Sequence, residues 1–377
     1  MRKIVFLTGT RADFGKLKSL MEIVEKSHDF DIHIFATGMH LNEKYGHTVD
    51  EIKKCGYANI HSYVNHHDYD SMDSILAKTI EGFSVYIKQL APDLIVIHGD
   101  RVEALAGAIV GAMNNILVAH IEGGEVSGTI DEHVRHAVSK MSHVHFVANP
   151  LAKTRLIQMG EEPESIFIIG SPDVDVMLSD KLPDLKAAKA HYNIEFEHYG
   201  IVMFHPVTTE IDHIGEQANS LVDALLESGK NYVVVFPNND LGSDHILEAY
   251  ERLKGHQNFC IFPSLRFEYF LVLLKNAECM IGNSSAGIRE APYYGIPTIN
   301  IGSRQNNRSD YKSIVHAGYG RQEILDAIVN AGGIQIETMQ HFGDGNSDQL
   351  FLAELKKDSF WAIPKQKYFI DLSRETI

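Results

Sequence analysis

One pattern repeats along this chain and leaves few folds open to it. Short apolar runs end in polar turns rich in glycine or threonine, and a periodic helical stretch follows most of them. Lys3 to Leu7 ends in Thr8-Gly9-Thr10-Arg11-Ala12-Asp13-Phe14-Gly15, and the next stretch carries Leu17, Leu20, Ile23 and Val24 on one side. Asp31 to Ala36, Leu94 to His98, Asn115 to Ala119, Val144 to Ala148 and Ile166 to Ile169 continue the first series. Gly200 to Phe204, Tyr232 to Phe236, Asn258 to Phe262, Cys279 to Ile281 and Thr298 to Ile301 form a second. Uninterrupted apolar strands are those covered on both faces, so the pattern predicts parallel sheets with helices on either side. A 377-residue chain suggests two domains at roughly 150 residues each. The mixed, charged stretch from Pro172 to about His198 interrupts the alternation and marks the boundary. The expected fold class is α/β, with two Rossmann-like doubly wound domains at 1–175 and 176–358. Helices are expected to fill most of the chain beyond Arg304.

The stretch His120-Ile121-Glu122-Gly123-Gly124-Glu125-Val126-Ser127-Gly128-Thr129-Ile130-Asp131-Glu132-His133 stands out. It leaves a buried strand, crosses a glycine turn and enters a helix. Most acidic loops are solvated surface, but here four carboxylates flank glycines just beyond a strand end, where open α/β sheets bind ligands. Other polar residues also fall at strand ends: Arg11, His40 and Asp100 in the first half, and His205, Asn238, Ser284, Ser285 and Arg304 in the second. If the two sheets face each other, these residues line one cleft. Gly282-Asn283-Ser284-Ser285-Ala286-Gly287 offers N–H groups and hydroxyls at an expected helix start, suited to phosphate. Arg11 and Arg304 would add bidentate contacts, and Glu290 could accept from a ribose. Neither half has a GxGxxG or GxxxxGK[ST] loop, so NAD and P-loop ATP sites find no support.

The formal charge of −16 argues against nucleic acid or an anionic membrane as partner. No apolar run is long enough to span a bilayer, and no signal peptide is visible. Three scattered cysteines, Cys55, Cys260 and Cys279, fit reduced thiols of a cytoplasmic protein. His133 and His136 have a possible metal spacing, but among 21 histidines such pairs arise by chance, so no metal and no cofactor is expected. Asp100, Glu122 and Asp131 can move protons or stabilise a cationic sugar ring.

These motifs together resemble one family. Gly9 to Asp13, Gly38-Met39-His40-Leu41, His98-Gly99-Asp100-Arg101, His120 to Arg135, His205 to Thr209, Phe236-Pro237-Asn238, Gly282 to Glu290 and Asn300 to Arg304 are similar, in order, to the hydrolysing UDP-N-acetylglucosamine 2-epimerases of bacterial sialic-acid synthesis and to the epimerase half of the bifunctional animal enzyme. The resemblance implies a glycosyltransferase-B type fold with a C-terminal helix, within 359–377, crossing back to the first domain. It implies conversion of UDP-GlcNAc and water to ManNAc and UDP through 2-acetamidoglucal, in a homodimer. It assigns Asp100, Glu122 and Asp131 to catalysis, and Arg11, Arg101, His205, Asn238, Ser284, Ser285, Gly287, Glu290 and Arg304 to the nucleotide side, with His40 near the sugar. Gly15 stands where the animal enzyme has serine, so no side-chain contact carries over there.

The chemistry agrees with this resemblance. C2–H of a sugar is a poor acid, and departure of UDP creates an oxocarbenium-like centre that acidifies it. Cations and dipoles must therefore meet the diphosphate while carboxylates meet the ring. Three rivals stay open: a retaining glycosyltransferase, a non-catalytic UDP-sugar sensor, and an epimerase of a UDP-diacetamido-trideoxy sugar.

Overall fold

The computed structural model describes residues 1–66, 70–127, 129–305, 311–334 and 342–371. They divide into two compact units. One comprises Met1–Glu125, Asp131–Asp180 and His341–Ile377, and the other Val126–Ile130 and Lys181–Gln340. Gly128 of the glycine turn lies outside the described residues. No described helix is long and apolar enough to cross a membrane.

In the first unit, β1 (Arg2–Thr8), β2 (Phe30–Ala36), β3 (Ile60–Ser62), β4 (Leu94–His98), β5 (Leu117–Ile121), β6 (Val144–Val147) and β7 (Ile166–Ile168) form one parallel sheet in the order β3-β2-β1-β4-β5-β6-β7. Phe6 of β1 pairs with Ile34 on one side and Val96 on the other, all three buried. Helix Arg11–Ser27 lays Leu17, Leu20, Met21 and Val24 on this core. It begins where Thr10 Oγ1 accepts from the Asp13 N–H at 3.1 Å, and ends at His28 in the left-handed conformation. The strand order reverses between β1 and β4, so the chain leaves these two neighbours towards opposite faces. That opens a crevice at their C-terminal ends.

The segment that returns to the first unit is longer than the expected 359–377. It includes helices Ser347–Leu355 and Asp358–Trp361, and 372–377 lie outside the described residues. Phe351, Leu355 and Phe360 are buried in the first unit's core, and the Phe351 ring meets Phe146 edge-on at 4.7 Å. Each buried phenylalanine contributes about 1.5–3 kcal/mol, so apolar burial holds this segment.

In the second unit, β8 (Gly200–Met203), β9 (Tyr232–Val235), β10 (Phe259–Phe262), β11 (Met280–Gly282), β12 (Thr298–Ile301) and β13 (Ile314–Ala317) form a parallel sheet in the order β10-β9-β8-β11-β12-β13. Here the order reverses between β8 and β11. Val202, Val234, Ile281 and Ile299 make the sheet side of the core, under Ala218, Leu221, Val222 and Leu225 of helix Ile214–Ser228. The sequence pattern beyond Arg304 did not predict β13. It is a half-exposed edge strand with His316 turned to solvent, so its apolar signal is short.

Candidate active site

The first unit's candidate residues stand at its strand-order reversal. β4 ends at His98, and Gly99, at φ 72, turns the chain into Asp100. β5 ends at Ile121, and Glu122 follows in the left-handed region at φ 63. For a non-glycine residue that conformation costs on the order of 1 kcal/mol or more. It is held by contacts at both ends of the residue. The Glu122 N–H donates to Phe146 O at 2.9 Å, and Arg135 Nη1 donates to Glu122 O at 2.5 Å. Ser171 Oγ donates to Oε1, and Oε2 lies 3.1 Å from His98 Nε2.

His98 is the centre of a buried charged row. Its Nδ1 is 3.0 Å from Asp13 Oδ1, and the other Asp13 oxygen accepts from the Gly9 N–H at 3.0 Å. Burial pushes the His98 pKa down, but the charges and hydrogen bonds of Glu122 and Asp13 outweigh it and raise the pKa to about 9. The row is an imidazolium between two carboxylates. Next to it, His120 contacts Gly99 O at 2.8 Å and Ser139 Oγ at 3.1 Å, and burial holds its pKa well below the usual value, so it is neutral.

Arg135, itself buried, pairs with Asp100 as well as with the Glu122 carbonyl. Asp131, also buried, lies four residues earlier on helix Thr129–Met141 and so shares a face with Arg135. A base, a cation and further carboxylates close to two strand ends can accept and return protons on a bound ring. Arg101 sits at the N-cap position of helix Val102–Met113, and Arg11 pairs with Glu51 at 2.5 Å. His40, which the resemblance sets near the sugar, stands in the turn Gly38–Leu41 that follows β2. It is fully buried, with Nε2 at 3.0 Å from Thr8 Oγ1 and Nδ1 at 2.7 Å from Thr48 Oγ1. Burial lowers its pKa to about 4, so the ring is neutral, with both nitrogens hydrogen-bonded.

In the second unit, the candidates gather around Asn283, a fully buried residue just after β11. Its carboxamide accepts from the His205 N–H at 2.7 Å and donates to His205 O at 2.8 Å. Its backbone oxygen accepts from Arg304 at 3.2 Å and from Gln305 at 2.8 Å. The Asn238 N–H donates to His205 Nδ1 at 3.0 Å. An accepting Nδ1 places the proton of a neutral ring on Nε2, a donor suited to an anion. Ser284 caps the following turn, with Oγ accepting from the Ala286 N–H at 3.3 Å. The helix expected to start in this motif and to carry Glu290 is broken up: Ser285–Gly287 is one 3-10 turn, and a separate helix, Glu290–Tyr293, has four residues and contains Pro292. A large helix dipole is therefore not available here, and the groups that an anion would meet at this turn are N–H groups, hydroxyls and Arg304. Gly287 packs so closely that a Cβ would lie 2.6 Å from Thr298 Cγ2. Glu290 is buried in the short helix.

The sequence pattern does not single out Asp13, His98, Ser171, Arg135 and Asn283, which the structure sets in these buried networks. Most stand inside the motifs quoted above, but their pairing joins distant strand ends, which spacing cannot reveal. Among the described residues, no group of three His, Cys, Asp or Glu is placed to hold a metal.

Comparison with known proteins shows the family of the chain. The family model described as UDP-N-acetylglucosamine 2-epimerase matches residues 22–356. The chain is 47% identical over 377 residues to a Neisseria meningitidis serogroup B protein named UDP-N-acetylglucosamine 2-epimerase, covering 99% of this chain and 100% of that one. It is 35% identical to a Legionella pneumophila protein named UDP-N,N'-diacetylbacillosamine 2-epimerase (hydrolyzing), covering 93% and 94%. Its fold matches the Methanocaldococcus jannaschii UDP-GlcNAc 2-epimerase solved with UDP-GlcNAc and UDP, with TM-score 0.79, 22% identity and coverage of 94% and 99%. With two doubly wound units in this order, the fold is of the glycosyltransferase-B type, and the chain belongs to the UDP-N-acetylglucosamine 2-epimerase family.

Proposed function

We propose that this chain is a hydrolysing UDP-GlcNAc 2-epimerase that converts UDP-GlcNAc and water to ManNAc and UDP, as the first step of sialic-acid synthesis. The observation that carries the proposal is the buried row Asp13–His98–Glu122–Ser171 beside the Asp100–Arg135 pair. In the elimination, the C1–O bond to UDP breaks with its electron pair leaving on the diphosphate. A carboxylate takes the proton from C2, and C1=C2 forms in 2-acetamidoglucal. In the hydration, water oxygen adds to C1 and a proton returns to C2 from the opposite face. Asp100, Glu122 and Asp131 are the groups for these transfers. His98 and Arg135 fix Glu122 and Asp100 and balance their charge. In the second unit, His205, Asn238, Ser284, Ser285 and Arg304 suit the diphosphate and uridine, as Arg11, Arg101, Gly287 and Glu290 do by resemblance.

The 47% identity to the Neisseria relative favours UDP-GlcNAc, and the 35% identity to the Legionella relative favours the diacetamido sugar less strongly. The chain is read as a cytoplasmic homodimer, and three free cysteines support a reducing compartment. The test is incubation with UDP-GlcNAc and, separately, with its 4-acetamido-4,6-dideoxy analogue, the free sugars being identified by NMR. ManNAc with equimolar UDP is the expected product. Release of a 2-epimerised sugar from the analogue alone would transfer the proposal to that substrate, and binding without turnover would reject it.

A further inference from the structure

The C-terminal segment meets the first unit at a place the proposed chemistry does not account for. Lys367 Nζ lies at the C-terminal end of helix Thr129–Met141. It donates to the carbonyl oxygens of Ser139, Lys140 and Ser142 at 3.4, 3.1 and 2.7 Å, and pairs with Glu161. Carbonyls in the last turn of a helix lack intrahelical partners and carry the negative end of its dipole, so an ammonium there satisfies both. Glu161 is held in turn by Lys140 at 2.7 Å and by His145 at 3.0 Å. Burial pushes the Glu161 carboxyl up, but the hydrogen bond from His145 and the neighbouring charges bring it down to about 2. Lys367 therefore keeps an anionic partner at all ordinary pH.

A second tie lies two residues earlier. His143 Nδ1 accepts from the Val118 N–H of β5 at 3.1 Å, and Nε2 donates to Lys365 O at 3.1 Å. A ring with one accepting nitrogen is neutral, in accord with the downward shift that burial imposes on His143. Residues 365 to 367 thus bind the end of the helix directly and, through the His143 ring, β5 beside it.

The Lys367 tie leads to the candidate carboxylates. Ser139, whose carbonyl accepts from Lys367, contacts His120 Nδ1 through Oγ, and His120 Nε2 donates to Gly99 O, one residue before Asp100. The same helix carries Arg135, which holds Asp100 and the Glu122 carbonyl, and Asp131. At 1.5 Å per residue, Asp131 is about 15 Å from the clamped end, and a rigid helix carries a shift from one end to the other.

We propose that Lys367 is a positioning residue that clamps helix Thr129–Met141 and thereby sets the placement of Asp131 and Arg135. The proposal rests on the reading above that Asp100, Glu122 and Asp131 perform the chemistry. The experiment compares wild type, Lys367→Met, Lys367→Gln and Lys367→Arg in the full-length chain. Three readouts are taken: kcat with UDP-GlcNAc, UDP affinity by calorimetry, and amide hydrogen exchange across residues 132–142. Lys367→Met should lower kcat about tenfold by misplacing a catalytic group, with UDP affinity within about twofold of wild type and faster exchange in the helix. Lys367→Gln should fall between, and Lys367→Arg, which keeps the charge and several donors, should recover most of kcat. In an Asp131→Asn background the Lys367→Met loss should shrink, because one of the two placed groups no longer acts. Wild-type kcat in a folded Lys367→Met chain would overturn the proposal. So would an equal loss of kcat and UDP affinity, or an undiminished loss in the Asp131→Asn background. If Lys367→Met does not fold, Lys367→Gln decides by the same criteria, and failure of both to fold makes the residue structural only. If wild type itself releases no UDP, the catalytic reading fails, and the exchange measurement still tests the clamp.

Discussion

The sharpest physical statement about the site is that His98 is an imidazolium, and it can be tested without substrate. The row Asp13–His98–Glu122 raises the His98 pKa from an ordinary 6.5 to about 9. At 1.36 kcal/mol per unit, that is on the order of 3 kcal/mol of stabilisation. The group gains pKa on folding, so the stabilisation is complete below pH 6.5, where folded and unfolded chains both hold the proton. Between pH 6.5 and 9 only the folded chain holds it, and stability falls as pH rises. Above about 9 the contribution is gone. Substituting His98→Gln removes the titration and keeps a polar side chain of similar reach. The assay is urea unfolding followed by tryptophan fluorescence at several pH values. The single tryptophan, Trp361, stacks on Phe30 at 6.0 Å under Arg2, so it reports the first unit alone. The stability difference between wild type and variant should shrink by about 3 kcal/mol from pH 6 to pH 9.5. A difference that stays constant across that range would refute the charged row.

Other consequences are as direct. Asn283→Ala removes two hydrogen bonds to the His205 backbone inside the second unit, and should cost about 2–3 kcal/mol of stability. UDP affinity by calorimetry should fall by at least about tenfold as the hub loosens, and unchanged affinity would count against the hub. Gly124→Ala puts a side chain at φ 75 with its Cβ 2.3 Å from Ala152 O, so the melting temperature should drop clearly. A melting curve like wild type would contradict the geometry. Asp100→Asn, Glu122→Gln and Asp131→Asn should not fail alike when UDP, glycal and ManNAc are assayed separately. At least one of the Glu122 and Asp131 variants should release 2-acetamidoglucal, and near-normal turnover in all three would sink the assignment.

The sheets were legible in the sequence because a strand covered on both faces must be apolar throughout, as Leu94 to Ile97 and Tyr232 to Val235 are. β13 was not, because an edge strand with an exposed His316 carries half that signal. The stretch from Glu43 to Cys55 reads as one helix, yet Gly46 at φ 90 and His47 at φ 47 break it into Glu43–Tyr45 and Val49–Lys54. Glycines marked the turn after β5 correctly, but the chain places Glu122 itself, not Gly123, in the left-handed region. Local pattern cannot foresee that, because the strain is held by Arg135, Phe146 and Ser171 from elsewhere in the chain. His40 shows the same limit. Only the fold reveals that Thr8 and Thr48 hydrogen-bond to its two nitrogens. Asp13 and His98 lay inside recognised motifs, but their meeting required β1 and β4 to be neighbours in the sheet.

The central claim is that a proton leaves C2 and a different one returns during hydrolysis. Its most direct measurement is wild-type turnover of UDP-GlcNAc in deuterated water, with the released sugar and UDP followed by NMR. ManNAc carrying deuterium at C2, formed in step with UDP, is the expected result. ManNAc that keeps its original C2 hydrogen, or UDP released together with unepimerised GlcNAc, would contradict it.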